Sequence, residues 1–128
     1  MSSDTLDQRI IGAAIAVHKS LGPGFTEPIY HRAMLIELAR REIPFESERT
    51  VRVFYDGQEV GMHRLDLVVG ERFVVELKAV CIFLTVHFDV VRSYMKAIDL
   101  GAGLLLNFGT MPLGIRKVFP SRPNRFPF

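Results

Sequence analysis

Asp66, Glu76 and Lys78 stand in a stretch, Arg64 to Lys78, that otherwise reads as two apolar strands joined by a tight turn. Charged side chains are almost never fully buried unless paired, and an unpaired buried charge costs several kcal/mol, as an order of magnitude. The three groups therefore either satisfy one another or hold something. Strand side chains alternate, so Glu76 and Lys78 point to one face and Val75 and Leu77 to the other. Asp66 comes to lie opposite Glu76 only if the connecting loop has odd length, such as Gly70 to Arg72. A two-residue loop at Gly70-Glu71 sets Asp66 opposite Val75 and sends the carboxylates to opposite faces. With the odd loop, two hard oxygen ligands lie beside an ammonium, a donor set that suits Mg²⁺ or Mn²⁺. Such an ion lowers the pKa of a bound water and neutralises charge on a scissile phosphate. Lys78 could orient or help deprotonate that water, or stabilise developing negative charge. Phosphodiester hydrolysis is the chemistry this pattern could do. An ion-pair cluster on a half-solvated sheet face accounts for the same spacing equally well.

The rest of the chain must supply a scaffold for that hairpin. At 128 residues it fits one domain with a real core, and its 48% apolar and 23% charged residues are ordinary for a soluble globular protein. No apolar run reaches the length of about 18 residues that a membrane span needs. The polar, acidic first residues do not read as a signal peptide. Cys81 is the sole cysteine, which rules out an intrachain disulfide and zinc-finger ligand sets and fits a reducing, cytoplasmic setting. A net charge of +2 is too small to argue for nucleic acid. Beyond Asp99, however, there is no acid, while Arg116, Lys117, Arg122 and Arg125 follow. This end is basic, either as a solvated tail or as a weak attraction for phosphate.

Hydrophobic spacing predicts a first helix over 4–21, capped by Ser3 or Asp4 and stopped by Gly22-Pro23-Gly24. A second helix over 27–42 follows, with Thr26 as cap and Pro28 tolerated in the first turn. Glu27 in that turn is explained by the helix dipole alone, and Tyr30 three residues on shares its face. Ile43-Pro44 ends the helix. Strands follow over 46–55, 59–69 and 73–79, the first pair joined by the hairpin turn Asp56-Gly57. They make an antiparallel meander. A helix over 86–100, with Thr85 as cap, leads to the apolar run Leu104 to Phe108. That run reads as a strand covered on both faces, and a crossover connection could lay it parallel to the third strand. Residues 115–119 form a last strand. Residues 1–120 are then one α/β domain, a mixed central sheet flanked by helices, and 121–128 an extended, basic, proline-rich tail.

At this point the sequence resembles a known family. Gly24-Phe-Thr-Glu27-Pro-Ile-Tyr30 matches the motif that names the GxxExxY family, and Arg64-Leu-Asp66, Glu76-Leu-Lys78-Ala and Leu104-Leu-Leu-Asn107-Phe108 are also similar to it. The resemblance covers roughly residues 5 to 119. That family is a branch of the PD-(D/E)XK nuclease-like superfamily, whose core of αβββαβ order agrees with the order read above. The resemblance implies metal-dependent cleavage of DNA or RNA. It implies Asp66 and Glu76 as metal ligands, the Leu77 carbonyl as a third, Lys78 as the catalytic lysine, and Glu27 as a helix acid near the metal. One departure is that many relatives carry Gln four residues before Tyr94, where this chain has Val90, whose side chain makes no hydrogen bond. Tyr94 is then expected in the core, and a fold that binds nucleic acid or a protein partner without cutting is the alternative reading.

Among other residues, Arg64 shares the Asp66 face in a regular strand, to bind phosphate or pair with Asp66, whereas His63 faces the other side. Arg92 and Lys96 make a basic strip on one helix face, and with Lys117 are candidate nucleic-acid contacts. His18, His31, His63 and His87 show no metal-ligand spacing and are expected at the surface or in caps. Cys81 is expected to be a small buried residue. A domain this small has little surface for a duplex, so a homodimer or partner chain is a reasonable expectation.

Overall fold

The computed structural model describes residues 4–120. Helix α1 spans Leu6–Leu21 and buries Ile10, Ala13, Ala14 and Val17. Its N-cap is Thr5, later than the expected Asp4, because the Gln8 side chain reaches back to accept the Thr5 N–H at 3.0 Å; Ser3 lies outside the described residues, as does the expected 121–128 tail. Helix α2 spans Glu27–Arg40 with Thr26 as N-cap. It ends short of residue 42, where Glu42 takes a positive φ of 57°. Glu37 in its last turn pairs with Arg41 at 2.6 Å and Arg40 at 3.3 Å. The Arg41 hydrogen bond is the main reason the Glu37 carboxyl is held below the usual range.

The five strands are β1 (Phe45–Tyr55), β2 (Gln58–Val69), β3 (Phe73–Lys78), β4 (Ala102–Asn107) and β5 (Gly114–Val118). They lie in that order across one sheet. β3 and β4 run parallel, and every other neighbouring pair is antiparallel. The β1–β2 hairpin turns at Asp56 and Gly57, both at positive φ (51° and 75°), as a two-residue turn of the favoured hand requires. Helix α3, Thr85–Ala97, makes the crossover from β3 to β4. Its N-cap is Leu84 and not the expected Thr85, because His87 Nδ1 accepts the Leu84 N–H at 3.0 Å. His87 is thus a capping histidine, as the sequence reading has it.

The sheet separates two cores. On one face α1 and α2 cover Leu67, Val69, Val75, Leu77, Leu104 and Leu106. On the other, α3 packs Val91 and Met95 against Leu65, Val68, Val74 and Leu105. β4 sits between them and is buried from Gly103 to Asn107, as an unbroken apolar strand should be. Gly103 lets α3 approach. A Cβ there would lie 2.7 Å from Val91 Cγ1 and 2.9 Å from Met95 Sδ.

Two isolated residues depart from expectation. Cys81 is exposed, since it lies in the connection between β3 and α3, which no element covers. His18 is buried, at 4% exposure, because Nε2 finds the Thr110 carbonyl at 2.8 Å and the ring lies beside Phe108.

Asn107 fixes the chain just beyond the charged strand. Its Oδ1 accepts from Val80 N at 3.0 Å and Gly109 N at 2.9 Å, and its Nδ2 donates to Val80 O at 2.9 Å. Asn107 itself is 2% exposed, and the Val80 and Gly109 backbone groups it serves are half-buried. Asn107→Ala is expected to cost about 2–3 kcal/mol, read as a lower urea midpoint with an unchanged m-value.

Candidate active site

The loop between β2 and β3 contains three residues, Gly70 to Arg72, with Gly70 and Glu71 at positive φ. It sets Val69 opposite Phe73, Val68 opposite Val74 and Leu67 opposite Val75. Asp66 and Glu76 are the next facing positions, and there the ladder stops. Below it β2 pairs only with β1, and Glu76 to Lys78 pair only with β4. The strands part, and the charged residues occupy the opening. Asp66 Oδ2 accepts the Leu77 N–H at 3.2 Å, so a side chain takes the place of a ladder bond.

Side-chain alternation breaks at the same point. Leu65 belongs to the core under α3, and Leu67, two residues on, belongs to the core under α1 and α2. Opposite Asp66 on β1 stands Glu48, between the paired Ser47 and Arg49, with a positive φ of 55°. A non-glycine residue there is uncommon, and it lets both strands turn over together. The reversal sets the sides on which the neighbours of Asp66 lie. His63 lies on the α3 side, its ring 5.6 Å from that of Tyr94. Arg64 is directed to the opposite face from Leu65, is exposed, and makes no ion pair with Asp66.

Glu76 is 7% exposed. Its carboxyl is pushed up to about 8, first by burial, then by the charge of Asp66 and a hydrogen bond with it, with Glu27 adding to the effect and Lys78 opposing it. Lys78 Nζ lies 3.7 Å from Glu76 Oε2. The two carboxyl groups thus meet and compete for one proton or one cation. Tyr94 is half-buried, and its phenol is pushed up by burial and by the charges of Glu76 and Asp66. It packs against the core, as expected, yet within the field of the pair. Val90, one turn earlier on α3, is half-buried.

On the α2 side, a cavity of about 470 Å³ is lined by Glu27, His31, Glu48, Asp66 and Leu77, together with Thr26 and Pro28. Sequence reading places Glu27 here by resemblance, and misses Glu48 and His31. His31 is half-buried, with Nε2 3.1 Å from the Asp66 carbonyl and 3.2 Å from Ser47 Oγ. It ties α2 to the strands at their point of parting, and so is neither a surface nor a capping residue. Its one available signal was position, one turn after Glu27 on the same helix. Among the described residues, no three His, Cys, Asp or Glu side chains are gathered closely enough to hold an ion, so Glu27 stands near the pair without closing a cage around it.

Tyr30 does not enter the site. It is fully buried and stacks on Phe108 at 4.7 Å. Its hydroxyl donates to Gly22 O at 2.6 Å and accepts from Phe25 N at 3.1 Å. These bonds hold the loop in which Gly22 and Gly24 take positive φ (70° and 116°), and that loop delivers Thr26 and Glu27 to the cavity. Tyr30→Phe keeps the ring and orphans both backbone groups. It is expected to lower stability by about 1–2 kcal/mol, checked by chemical denaturation.

Of the candidate phosphate contacts, Arg92 is held by Phe119 O at 3.0 Å and Asp89 at 3.7 Å. Lys117 pairs with Asp7 at 2.8 Å, the main reason the Asp7 carboxyl falls to about 2. Lys96 is exposed and makes no ion pair among the described residues. Among the described residues, no helix is long and apolar enough to cross a membrane.

A family model described as the PD-(D/E)XK nuclease superfamily matches residues 4–118. No curated protein and no solved structure matches the chain.

Proposed function

From the premise that the chain belongs to the PD-(D/E)XK nuclease superfamily, we propose that it hydrolyses phosphodiester bonds of nucleic acid, and that it falls in the GxxExxY branch through Gly24, Glu27 and Tyr30. The observation that carries this reading is the meeting of Asp66 and Glu76 where β2 and β3 part, with Glu76 raised to about 8. A pair that only stabilised the fold would be arranged to be favourable without a guest. This one is strained by like charge and burial, a common mark of functional sites.

The donor chemistry fits Mg²⁺ or Mn²⁺: two facing carboxylates of hard oxygen, with Leu77 lining the same cavity as Asp66. Asp66, Glu76 and the Leu77 carbonyl would hold the ion, with Glu27 acting across the cavity. When bound, the ion supplies charge neutralisation at the phosphate and a more acidic water. The protein's own part is to hold both carboxylates in one opening, to fix Asp66 through the Leu77 N–H and the His31 contact to its carbonyl, and to keep an ammonium, Lys78, beside Glu76, within reach of a phosphate that would approach the ion there.

Titration calorimetry with Mn²⁺ on the full chain tests this. The expected result is one site that Asp66→Ala abolishes, together with divalent-dependent cleavage of DNA or RNA that the same variant lacks. Binding that is absent, or indifferent to Asp66→Ala, ends the enzyme reading. The second reading, a fold that binds nucleic acid without cutting, rests on Val90, which brings no hydrogen-bonding group to α3. Nucleic-acid binding without divalent-dependent cleavage is the result that would favour it.

A further inference from the structure

Glu48 lines the α2 cavity, yet neither the charged hairpin nor the sequence motif accounts for it. It stands on β1 between Ser47, which faces Leu67, and Arg49, which faces Leu65. Leu67 belongs to the core under α1 and α2, and Leu65 to the core under α3. The two neighbours of Glu48 thus lie on opposite faces of the sheet, where regular alternation puts them on one. The reversal passes through Glu48 itself, at a φ of 55°. Glycine takes that conformation freely, and asparagine and aspartate tolerate it better than other residues with a side chain. The backbone alone therefore does not call for glutamate here.

The reversal also sorts the charges. Arg49 goes to the α3 face and pairs with Glu46 at 3.8 Å and Glu71 at 3.4 Å. Glu48 is left to the cavity that Glu27, His31, Asp66 and Leu77 also line. No lysine or arginine lines that cavity, and Glu48 makes no ion pair among the described residues. Its carboxylate adds negative charge beside Asp66, and none of the cavity's walls offsets it. Glu48, Glu27 and Asp66 are nevertheless not gathered closely enough to ligate one ion together. A carboxylate at that remove from a small, hard cation can meet the waters the cation keeps, because Mg²⁺ gives up its hydration shell reluctantly.

We infer that Glu48 is a further positioning residue of the site, accepting hydrogen bonds from the water shell of the divalent ion that Asp66 and Glu76 would hold. The inference rests on the hydrolytic reading for the presence of the ion. It assigns to β1 a part in the chemistry that the motif residues on α2, β2 and β3 leave unfilled. The left-handed backbone is what keeps this carboxylate on the cavity side while its arginine neighbour turns away.

Three substitutions suit that backbone and differ in charge: Glu48→Gly, Glu48→Asn and Glu48→Asp. Thermal scans of the full chain without metal are expected to show none of them melting below wild type, since each relieves the conformation. Calorimetry with Mn²⁺ should show affinity reduced roughly tenfold in Glu48→Gly and Glu48→Asn, and kept within a few-fold in Glu48→Asp. A residue that only shaped the strand would leave Mn²⁺ affinity unmoved in all three. That result overturns the inference, as does an equal loss in Glu48→Asn and Glu48→Asp, or a variant that fails to fold. Mn²⁺ binding that Asp66→Ala abolishes and the Glu48 variants leave alone removes Glu48 and keeps the hydrolytic reading. Glu48-dependent Mn²⁺ binding without cleavage of nucleic acid does the reverse. A wild type that binds no Mn²⁺ ends both.

Discussion

Lys78→Met is expected to slow phosphodiester cleavage about 10²–10⁴-fold while leaving Mn²⁺ affinity within a few-fold of wild type. The aliphatic stem survives, so the half-buried packing of the residue is kept, and the ammonium alone is removed. Two effects on the ion then oppose each other. A positive charge that repels it is gone, which favours binding. The same charge is what holds the Glu76 carboxyl down, so without it more proton must be displaced before Glu76 can bind a cation. Cleavage has no such compensation, because the group beside the reacting phosphate is missing. Calorimetry and single-turnover cleavage on the same variant separate the two. A variant that binds Mn²⁺ normally and cuts at the wild-type rate would remove Lys78 from the chemistry.

The parts of the fold set by local rules were legible in the sequence. Thr26 before Glu27-Pro28 starts a helix, and Asp56-Gly57 turns a hairpin. The apolar run Leu104 to Phe108 buries a strand on both faces, and it does lie parallel to β3. The register of β2 on β3 was legible only as a choice between two loops, of which strand parity lets the odd one alone set Asp66 against Glu76, and the structure has the odd one. What was not legible depends on contacts between distant segments. Glu48 takes a left-handed backbone in mid-strand, which no propensity favours, and with Asp66 it turns both strands over. Parity counted through that point relates His63 and Arg64 to Asp66 but not to Glu76, which faces α3. His31 looked like one more polar residue on a helix, since its partners, the Asp66 carbonyl and Ser47, come from two strands. Tyr30 was grouped with Glu27 by helical spacing, yet its hydroxyl bonds backward to Gly22 and Phe25. The motif joins the two residues through the loop between them.

Glu76→Gln is expected to stabilise the metal-free protein at alkaline pH, and its sign follows from proton binding. The folded carboxyl lies near 8 against 4.5 for an ordinary glutamate, so between those values the folded state holds more protons than the unfolded state. Wild-type stability is therefore fully present below about 4.5 and falls as pH rises through this window, with a slope approaching 1.4 kcal/mol per pH unit. Glutamine resembles the protonated acid in shape, carries no charge, and can donate its amide N–H to Asp66. At pH 8.5 the variant should melt about 10 °C above wild type, and the gap should close near pH 5. Mn²⁺ should raise the wild-type melting temperature at pH 8.5 and leave the variant nearly unmoved. An ion-pair cluster that merely stabilised the sheet predicts the opposite order, since Glu76→Gln would then cost the Lys78 contact and lower the melting temperature at every pH above the ordinary glutamate range. Thermal scans of both proteins at two pH values, with and without Mn²⁺, decide between an opening held ready for a cation and a charge cluster that is complete in itself.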